Sequence, residues 1–500
     1  MKSSILSVLV FVVSLGILSV NLNSVGEHWD EVTVASVGES YLGFMKNGDF
    51  SPSSWELNHE HPPVAKYIYG VARFLTKNIS LLQDKGGYYP AGRDFVFARF
   101  FSVVMSAITV AIIFLIARKL TKSRRIALLS SAFLFVNPVF QSYARIISLE
   151  VPLLLFGSLF VLFSIKYANT KSLKNYLAVV ASFTLLIGTR YNGVLLLPLF
   201  IGSLLFRETP KPKKGDSLKM VLMPVFSLLI LIGIWPYLWH STIINLLASA
   251  DRGLEVHTRE YFMGQLGNTP WFYYFVYFGV RTPLLLLATF VIGVFCRPKK
   301  EKLMLIALFL LPFLASVFPL KQDGLRYVNL YLIGFSIICA LGVNFLLDLA
   351  KNKILKSSIL VLIFGFCSLP LIRFFPYYLD YYNGLVSSNK IYNQRLFEIG
   401  GWGEGVLEAV KRLPKSQSSL VKKVYLAISP VHIIPDLPEG YKSTADFSQA
   451  DFVLVNTNYR WYDNMVTSED LENLKLINTV LVGNKFPLIT TYIRSSMVLY

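Results

Sequence analysis

Long apolar runs alternate with short polar breaks along most of this chain. The first run, residues 4–20, follows Lys2 and predicts a membrane span rather than a cleaved leader, since no small-x-small site follows it cleanly. Further runs at 96–117, 126–137, 151–165, 176–206, 220–238, 282–296, 303–319, 328–347 and 357–375 read as spans. The run 176–206 is too long for one crossing and breaks at Gly188-Thr189-Arg190-Tyr191-Asn192-Gly193, so it counts as two. The pattern predicts about 11 transmembrane helices. With the N-terminus in the cytoplasm, an odd number puts the C-terminal part outside, an extracytoplasmic placement in the cell membrane, or in the ER membrane of a eukaryote.

Two polar stretches break this rhythm on the outer side, loops 21–95 and 239–281. In the first, Val34, Val37, Tyr41, Leu42, Phe44 and Met45 recur at three- and four-residue spacing, which predicts an amphipathic helix lying on the membrane surface. Gly48 and Pro52 end it, and a second surface helix is expected after Pro62-Pro63. Asn78-Ile79-Ser80 is a glycosylation sequon, a pattern that also arises by chance. From 376 the composition changes. Runs 424–428 and 451–455 read as buried strands, and Gly400-Gly401-Trp402-Gly403-Glu404-Gly405 reads as a turn before a helix at 405–413. The expected organisation is an all-α polytopic membrane domain over 1–375 and a small α/β domain over 376–500.

Composition agrees with a membrane protein. The chain is 54% hydrophobic and 16% charged, with a mean hydropathy of +0.52, against roughly 25% charged in soluble domains. Its net charge of +18 would suit a polyanion, so the location of the charge decides. Lys2 and the segments 118–125, 166–174, 207–219, 297–302 and 348–356 hold about 21 Lys/Arg and about 4 acids. The final 125 residues balance about 12 bases with about 12 acids. The excess therefore follows the positive-inside rule and argues against a nucleic-acid partner. Cys296, Cys339 and Cys367 lie in or beside apolar runs, with no disulfide framework or metal spacing.

Candidate chemistry collects on the outer side. Glu27, His28, Asp30 and Glu31 stand just past the first span; they are either a solvated loop or carboxylates placed to accept a proton from a hydroxyl. Glu60, His61, Pro62, Pro63 and Lys66 are either a proline-stiffened turn or an imidazole and a cation aimed at a phosphate. Arg145 and Glu150 flank the outer end of a span, as a structural ion pair or as site residues. Arg99, Arg190, Arg281, Lys321 and Arg326 stand near outward span ends; singly each is an interface anchor, together they suit an anionic ligand. His257, alone in the second outer loop, is weak evidence. A nucleotide-binding glycine loop, HExxH and GxSxG are all absent.

Taken in order, these motifs resemble the GT-C fold glycosyltransferases of the dolichyl-phosphate-mannose–protein mannosyltransferase superfamily, whose relatives include the lipid A aminoarabinose transferase. The carriers are Asp30-Glu31, His61-Pro62-Pro63-Val64-Ala65-Lys66, Arg99, Arg145 through Glu150, and Arg326-Tyr327. The resemblance runs from the first span to at least residue 330, and more loosely to the end. It implies transfer of a sugar, a mannose-like hexose by preference, from a polyprenyl-phosphate donor to a protein, lipid or glycan acceptor, with inversion. It implies catalytic roles for Asp30, Glu31 and Glu150, where the family usually has Asp in the position of Glu150. It implies donor-phosphate binding by His61, Lys66, Arg99, Arg145 and Arg326. No metal is required by the sequence, although Asp30 and Glu31 could bind a divalent ion. The large lumenal insertion of the eukaryotic protein mannosyltransferases has no room here. The competing readings are a transporter or flippase of lipid-linked sugars and a non-catalytic membrane subunit. Against the first, the chain has no internal repeat, and its charges gather on one side.

Overall fold

The computed structural model describes residues 3–24, 26–79, 95–205, 214–254, 260–296, 300–317, 324–415, 421–429, 433–462, 466–483 and 485–494. Ser80 of the sequon, the basic residues at 207–213 and 297–299, His257 and Lys321 lie outside these. Seventeen helices carry the first three quarters of the described chain. They begin with α1 (Ser3–Leu18), α2 (Trp29–Asn47), the single turn α3 (Pro52–Trp55) and α4 (Val64–Asn78). Then come α5 (Val96–Thr121), α6 (Arg124–Phe135), α7 (Pro138–Tyr143), α8 (Glu150–Thr170), α9 (Leu173–Ile187) and α10 (Leu197–Leu205). After α11 (Lys214–Ile234) and α12 (Thr242–Leu254) follow α13 (Tyr273–Arg281), α14 (Leu284–Phe295), α15 (Lys300–Leu310), α16 (Tyr331–Leu349) and α17 (Lys353–Arg373).

Five of these, α5, α8, α11, α16 and α17, are long and apolar enough to cross a membrane. The pair α13 and α14, bent by 115° at Thr282-Pro283, adds a sixth if it is one broken span. The remaining apolar helices, α1, α9, α10 with the turn before it, and α15, are shorter than a full crossing. The helices thus fall where the apolar runs lie, but five or six have the length of a span.

What each helix buries follows from its composition. Helices α8 and α16 are apolar all round and sit inside the bundle, whereas α17 turns Ile354, Val361, Phe366 and Ile372 outward. An apolar outer surface is what lipid requires and water would penalise. Small residues let helices approach closely: a Cβ on Gly293 would strike the Ile338 carbonyl and one on Gly342 the Thr289 carbonyl. Polar punctuation sets the ends. Ser123 accepts from Ile126 N (3.3 Å) to start α6, Asn137 from Val139 N (2.9 Å) to start α7, and Asn352 from Leu355 N (2.7 Å) to start α17. Arg118 and Lys119 close α5, where the helix dipole favours cations.

A two-stranded ribbon, β1 (Glu260–Phe262) and β2 (Gln265–Gly267), precedes α13. Near the end stand β3 (Lys422–Ala427), β4 (Tyr441–Thr444), β5 (Phe452–Asn456), β6 (Leu474–Val482) and β7 (Phe486–Arg494). They form one mixed sheet in the order β4-β3-β5-β7-β6. Its first three strands are parallel, and β7 pairs antiparallel with both β5 and β6. Every residue of β5 is buried, as the apolar run Phe452–Val455 requires of a central strand.

Candidate active site

The site is built from the first turn of α2 outward. His28 caps the helix, and Glu31 at its third position accepts the His28 N–H (2.9 Å), the reciprocal half of a capping box. The same carboxylate accepts Arg99 Nε (2.8 Å) and Nη2 (2.6 Å) from α5, and the Ile147 N–H (2.9 Å) from the loop before α8. Arg99 also donates to the Leu22 and Gly26 carbonyls, at 3.2 and 2.7 Å. Glu31 is fully buried. Burial alone would push its carboxyl up, but the Arg99 charge and hydrogen bonds, helped by His28, hold it down at about 2. Glu31 and Arg99 therefore brace α2, α5 and the 147 loop.

Asp30, one residue earlier, points elsewhere. It keeps 20% of its side chain exposed and pairs with Arg326 Nη2. Arg326 also donates through Nε to Glu150 Oε1 (2.9 Å), and its guanidinium lies 4.4 Å from the Trp402 ring centre. Arg190 comes to the same Glu150 oxygen at 2.9 Å and stacks 4.6 Å from the Tyr327 ring. None of its three buried nitrogens has an aligned hydrogen-bond acceptor. Asn329 Nδ2 donates to the Glu150 carbonyl (3.0 Å). Glu150 opens α8 and is buried, so it anchors two arginines from behind, while Asp30 meets one of them at the open side.

The other predicted residues do not join this group. Arg145 donates to the Val20 and Ile17 carbonyls, both at 3.2 Å, and so satisfies the end of α1. Lys66 is buried and donates to the Asn58 (2.5 Å) and His61 (2.7 Å) carbonyls, which closes the turn ahead of α4. Burial draws its ammonium down to about 7, against a small opposing pull from Glu60. His61 stands 3.7 Å from the Glu60 carboxylate. In this structure Arg99, Arg145 and Lys66 are thus tied to Glu31 or to backbone carbonyls. Both Glu31 oxygens are taken, so Asp30 and Glu31 do not form an open chelate. Among the described residues no group of three His, Cys, Asp or Glu side chains could hold a metal ion.

Two contributors stand out only in space. Arg190 reads in the sequence as one isolated cation among several, and Trp402 as part of a glycine-rich turn. Their signal was present: the glycines around Trp402 permit a backbone that reaches the site, with Gly403 and Gly405 at positive φ and the Trp402 carbonyl accepting the Trp29 N–H at 3.2 Å.

Residues 4–244 match the family model described as Dolichyl-phosphate-mannose-protein mannosyltransferase. No curated protein sequence matches. Among solved structures, ArnT from Cupriavidus metallidurans in the apo state is 13% identical over 98% of both chains, with a TM-score of 0.50. The S. cerevisiae protein O-mannosyltransferase Pmt1-Pmt2 complex bound to the sugar donor is 19% identical over 50% of this chain, with a TM-score of 0.35. This chain spans only 34% of that one. The Archaeoglobus fulgidus oligosaccharyltransferase in complex with Zn and sulfate is 11% identical over 83% of this chain and 60% of its own, with a TM-score of 0.43. Identities this low speak for the fold, and the ArnT likeness carries it over nearly the whole length. By fold the chain is similar to ArnT over nearly its whole length, and residues 4–244 carry the pattern of the mannosyltransferase family model.

Proposed function

We propose that the chain transfers a sugar, of the mannose type, from a polyprenyl-phosphate donor to an acceptor hydroxyl on the extracytoplasmic face. The observation that carries this reading is the sharing of Arg326 between a buried acid, Glu150, and a partly exposed one, Asp30. The family match supports the donor class.

Direct displacement at the anomeric carbon forms a bond to the acceptor oxygen as the bond to phosphate breaks. The bonding pair leaves with the phosphate, and the acceptor proton must go to a base. A phosphate leaves without a general acid but is helped by fixed positive charge. Arg326 and Arg190, held by Glu150, supply that charge. The exposed carboxylate of Asp30 takes the proton once the incoming phosphate draws Arg326 from it. Inversion follows from a single displacement.

Asp30→Asn is expected to lower transfer by about 10²–10⁴-fold, the usual share of a general base, with insertion and folding intact. The assay is transfer in membranes supplied with polyprenyl-phosphate sugars, read by mass spectrometry of the product. Full activity of the folded variant would refute the mechanism. Arg190→Ala is expected to cost about 10²–10³-fold in kcat/KM, as for loss of one preorganised electrostatic donor. An unchanged kcat/KM across a donor titration would remove Arg190 from the phosphate site.

A further inference from the structure

Far from the arginine cluster, at the other end of the helix bundle, four lysines from four helices come together. Lys119 stands in the last turn of α5 and Lys166 near the end of α8. Lys174 is the second residue of α9, and Lys219 stands in the second turn of α11. Arg99 and Glu150 lie at the opposite ends of α5 and α8. At 1.5 Å of rise per residue, Arg99 is about 30 Å from Lys119 along α5 and Glu150 about 24 Å from Lys166 along α8. Those lengths match the apolar core of a bilayer, so the lysines and the candidate site border opposite faces of the membrane.

Two tyrosines draw the lysines to one place. Lys219 Nζ lies 5.9 Å from the ring centre of Tyr167 and 6.0 Å from that of Tyr176. The two rings are 5.6 Å apart; Tyr167 follows Lys166 in α8, and Tyr176 stands two residues past Lys174 in α9. Tyr176 Oη donates to the Lys219 carbonyl (3.1 Å), which holds α11 against α9. Lys166 in turn stands within reach of the charges of Lys119 and Lys174. Among the described residues none of the four ammonium groups pairs with an acid. Like charges gathered without an acid between them leave a positive potential that attracts an anion.

The apolar surroundings select the kind of anion. Leu173 and Leu177 of α9 are exposed beside Lys174, and Leu218 and Val221 of α11 are exposed beside Lys219. Each pair is three or four residues apart and so covers one face of its helix. A soluble phosphate makes no use of such faces, whereas an acyl chain does. A phospholipid offers both parts, a phosphate for the lysines and chains for the leucines, and the flexible lysine stems let the charges reach headgroup level. A zwitterionic headgroup brings its own cation to the phosphate; an anionic one does not. We propose that this lysine cluster binds the headgroup of an anionic phospholipid, whose chains lie on the exposed faces of α9 and α11. The site is independent of the sugar-transfer reading and stands or falls without it.

The experiment is native mass spectrometry of the detergent-purified full chain, titrated with phosphatidylglycerol or with phosphatidylcholine of the same acyl chains. Phosphatidylglycerol is expected to bind at least tenfold more tightly. Lys166→Gln combined with Lys219→Gln is expected to weaken phosphatidylglycerol at least fivefold and to leave phosphatidylcholine within twofold. The control is Lys351→Gln combined with Lys353→Gln, exposed lysines at the same end of the bundle, where Arg125 of α6 meets Asp348 of α16. It removes the same charge and is expected to change binding less than twofold. If the first pair fails to fold, Lys174→Gln, at an exposed position, is expected to weaken phosphatidylglycerol at least threefold. A second measurement identifies the source of the phosphate. The thermal midpoint in detergent is expected to rise with phosphatidylglycerol and not with inorganic phosphate at equal ionic strength. An equal rise with inorganic phosphate would make this a site for a soluble anion and overturn the lipid assignment. The proposal is also overturned if the two lipids bind alike, if the control pair costs as much as the cluster pair, or if the folded variants bind as the parent does.

Discussion

At the scale of single residues, the adjacent acids Asp30 and Glu31 have opposite surroundings. Both follow the first apolar run and look equivalent in the sequence. Their separation depends on Arg99, 68 positions away from Glu31, and on Arg326, 296 away from Asp30, pairings that no local pattern encodes. Glu31→Gln is expected to destabilise the protein by about 3–5 kcal/mol, because Arg99 would stay buried without its counter-charge. Acid has the same target. Glu31 titrates near 2 when folded and near 4.5 when free, so its contribution is present above about pH 4.5 and is lost as pH falls toward 2. The amount is on the order of 3 kcal/mol. Thermal unfolding in detergent between pH 5 and 3 should show this slope in the parent and not in Glu31→Gln. The order of the motifs and their common side were legible from the sequence. Which cations meet the acids was not, because Arg145 and Lys66 carry the same charge as Arg190 and Arg326 but are drawn to unpaired carbonyls at helix and turn ends.

Among elements, the crossing of α2 and α4 sets where the site acids stand. Gly38 and Gly70 lie face to face: a Cβ on Gly38 would strike the Lys66 carbonyl and come 2.8 Å from Gly70 N, and one on Gly70 would strike Gly38. Neither glycine is at a turn, so their role is the close approach of two helices. Gly38→Ala is expected to cost about 1–3 kcal/mol by forcing the helices apart, and to lower transfer further by displacing Asp30. The checks are a thermal midpoint and an activity measurement on the same sample. Periodicity placed the first helix, after Asp30-Glu31, and the proline pair the second, after Pro62-Pro63. It was silent on their contact, since a glycine within a helical pattern carries no sign of what faces it.

For the whole molecule, the apolar outer faces locate the membrane. Besides α17, helix α12 turns Ile243, Ile244 and Leu247 outward, and Trp239 stands just before it. An amphipathic helix beside an exposed tryptophan suits the headgroup region. The basic-residue pattern predicts that the Arg118–Arg125 segment is cytoplasmic and that the site and the C-terminal sheet are outside. With Cys296 replaced by Ala, a cysteine at the exposed Lys390 should react with a membrane-impermeant maleimide in intact cells. One at the exposed Lys122 should react only after permeabilisation. The reverse pattern would invert the topology. The strand runs 424–428 and 451–455 were legible because Val424–Ile428 is an apolar run and β5 is buried throughout. Strands β4, β6 and β7 were not, since their alternating or polar sequences acquire meaning only from the neighbours they pair with.

The stacking of Trp402 on Arg326 has a consequence for biosynthesis. Asp30 and Glu150 leave the ribosome long before the arginine they share, and that arginine before the tryptophan that covers it. Until residue 326 arrives, Asp30 lacks the cation it meets in the finished site, and Glu150 has Arg190 alone. Only when residue 326 arrives are the two acids joined, and only when residue 402 follows is the arginine covered. A nascent chain halted between these points holds the acids without the assembled site, so the cluster is complete only at a defined late moment in translation.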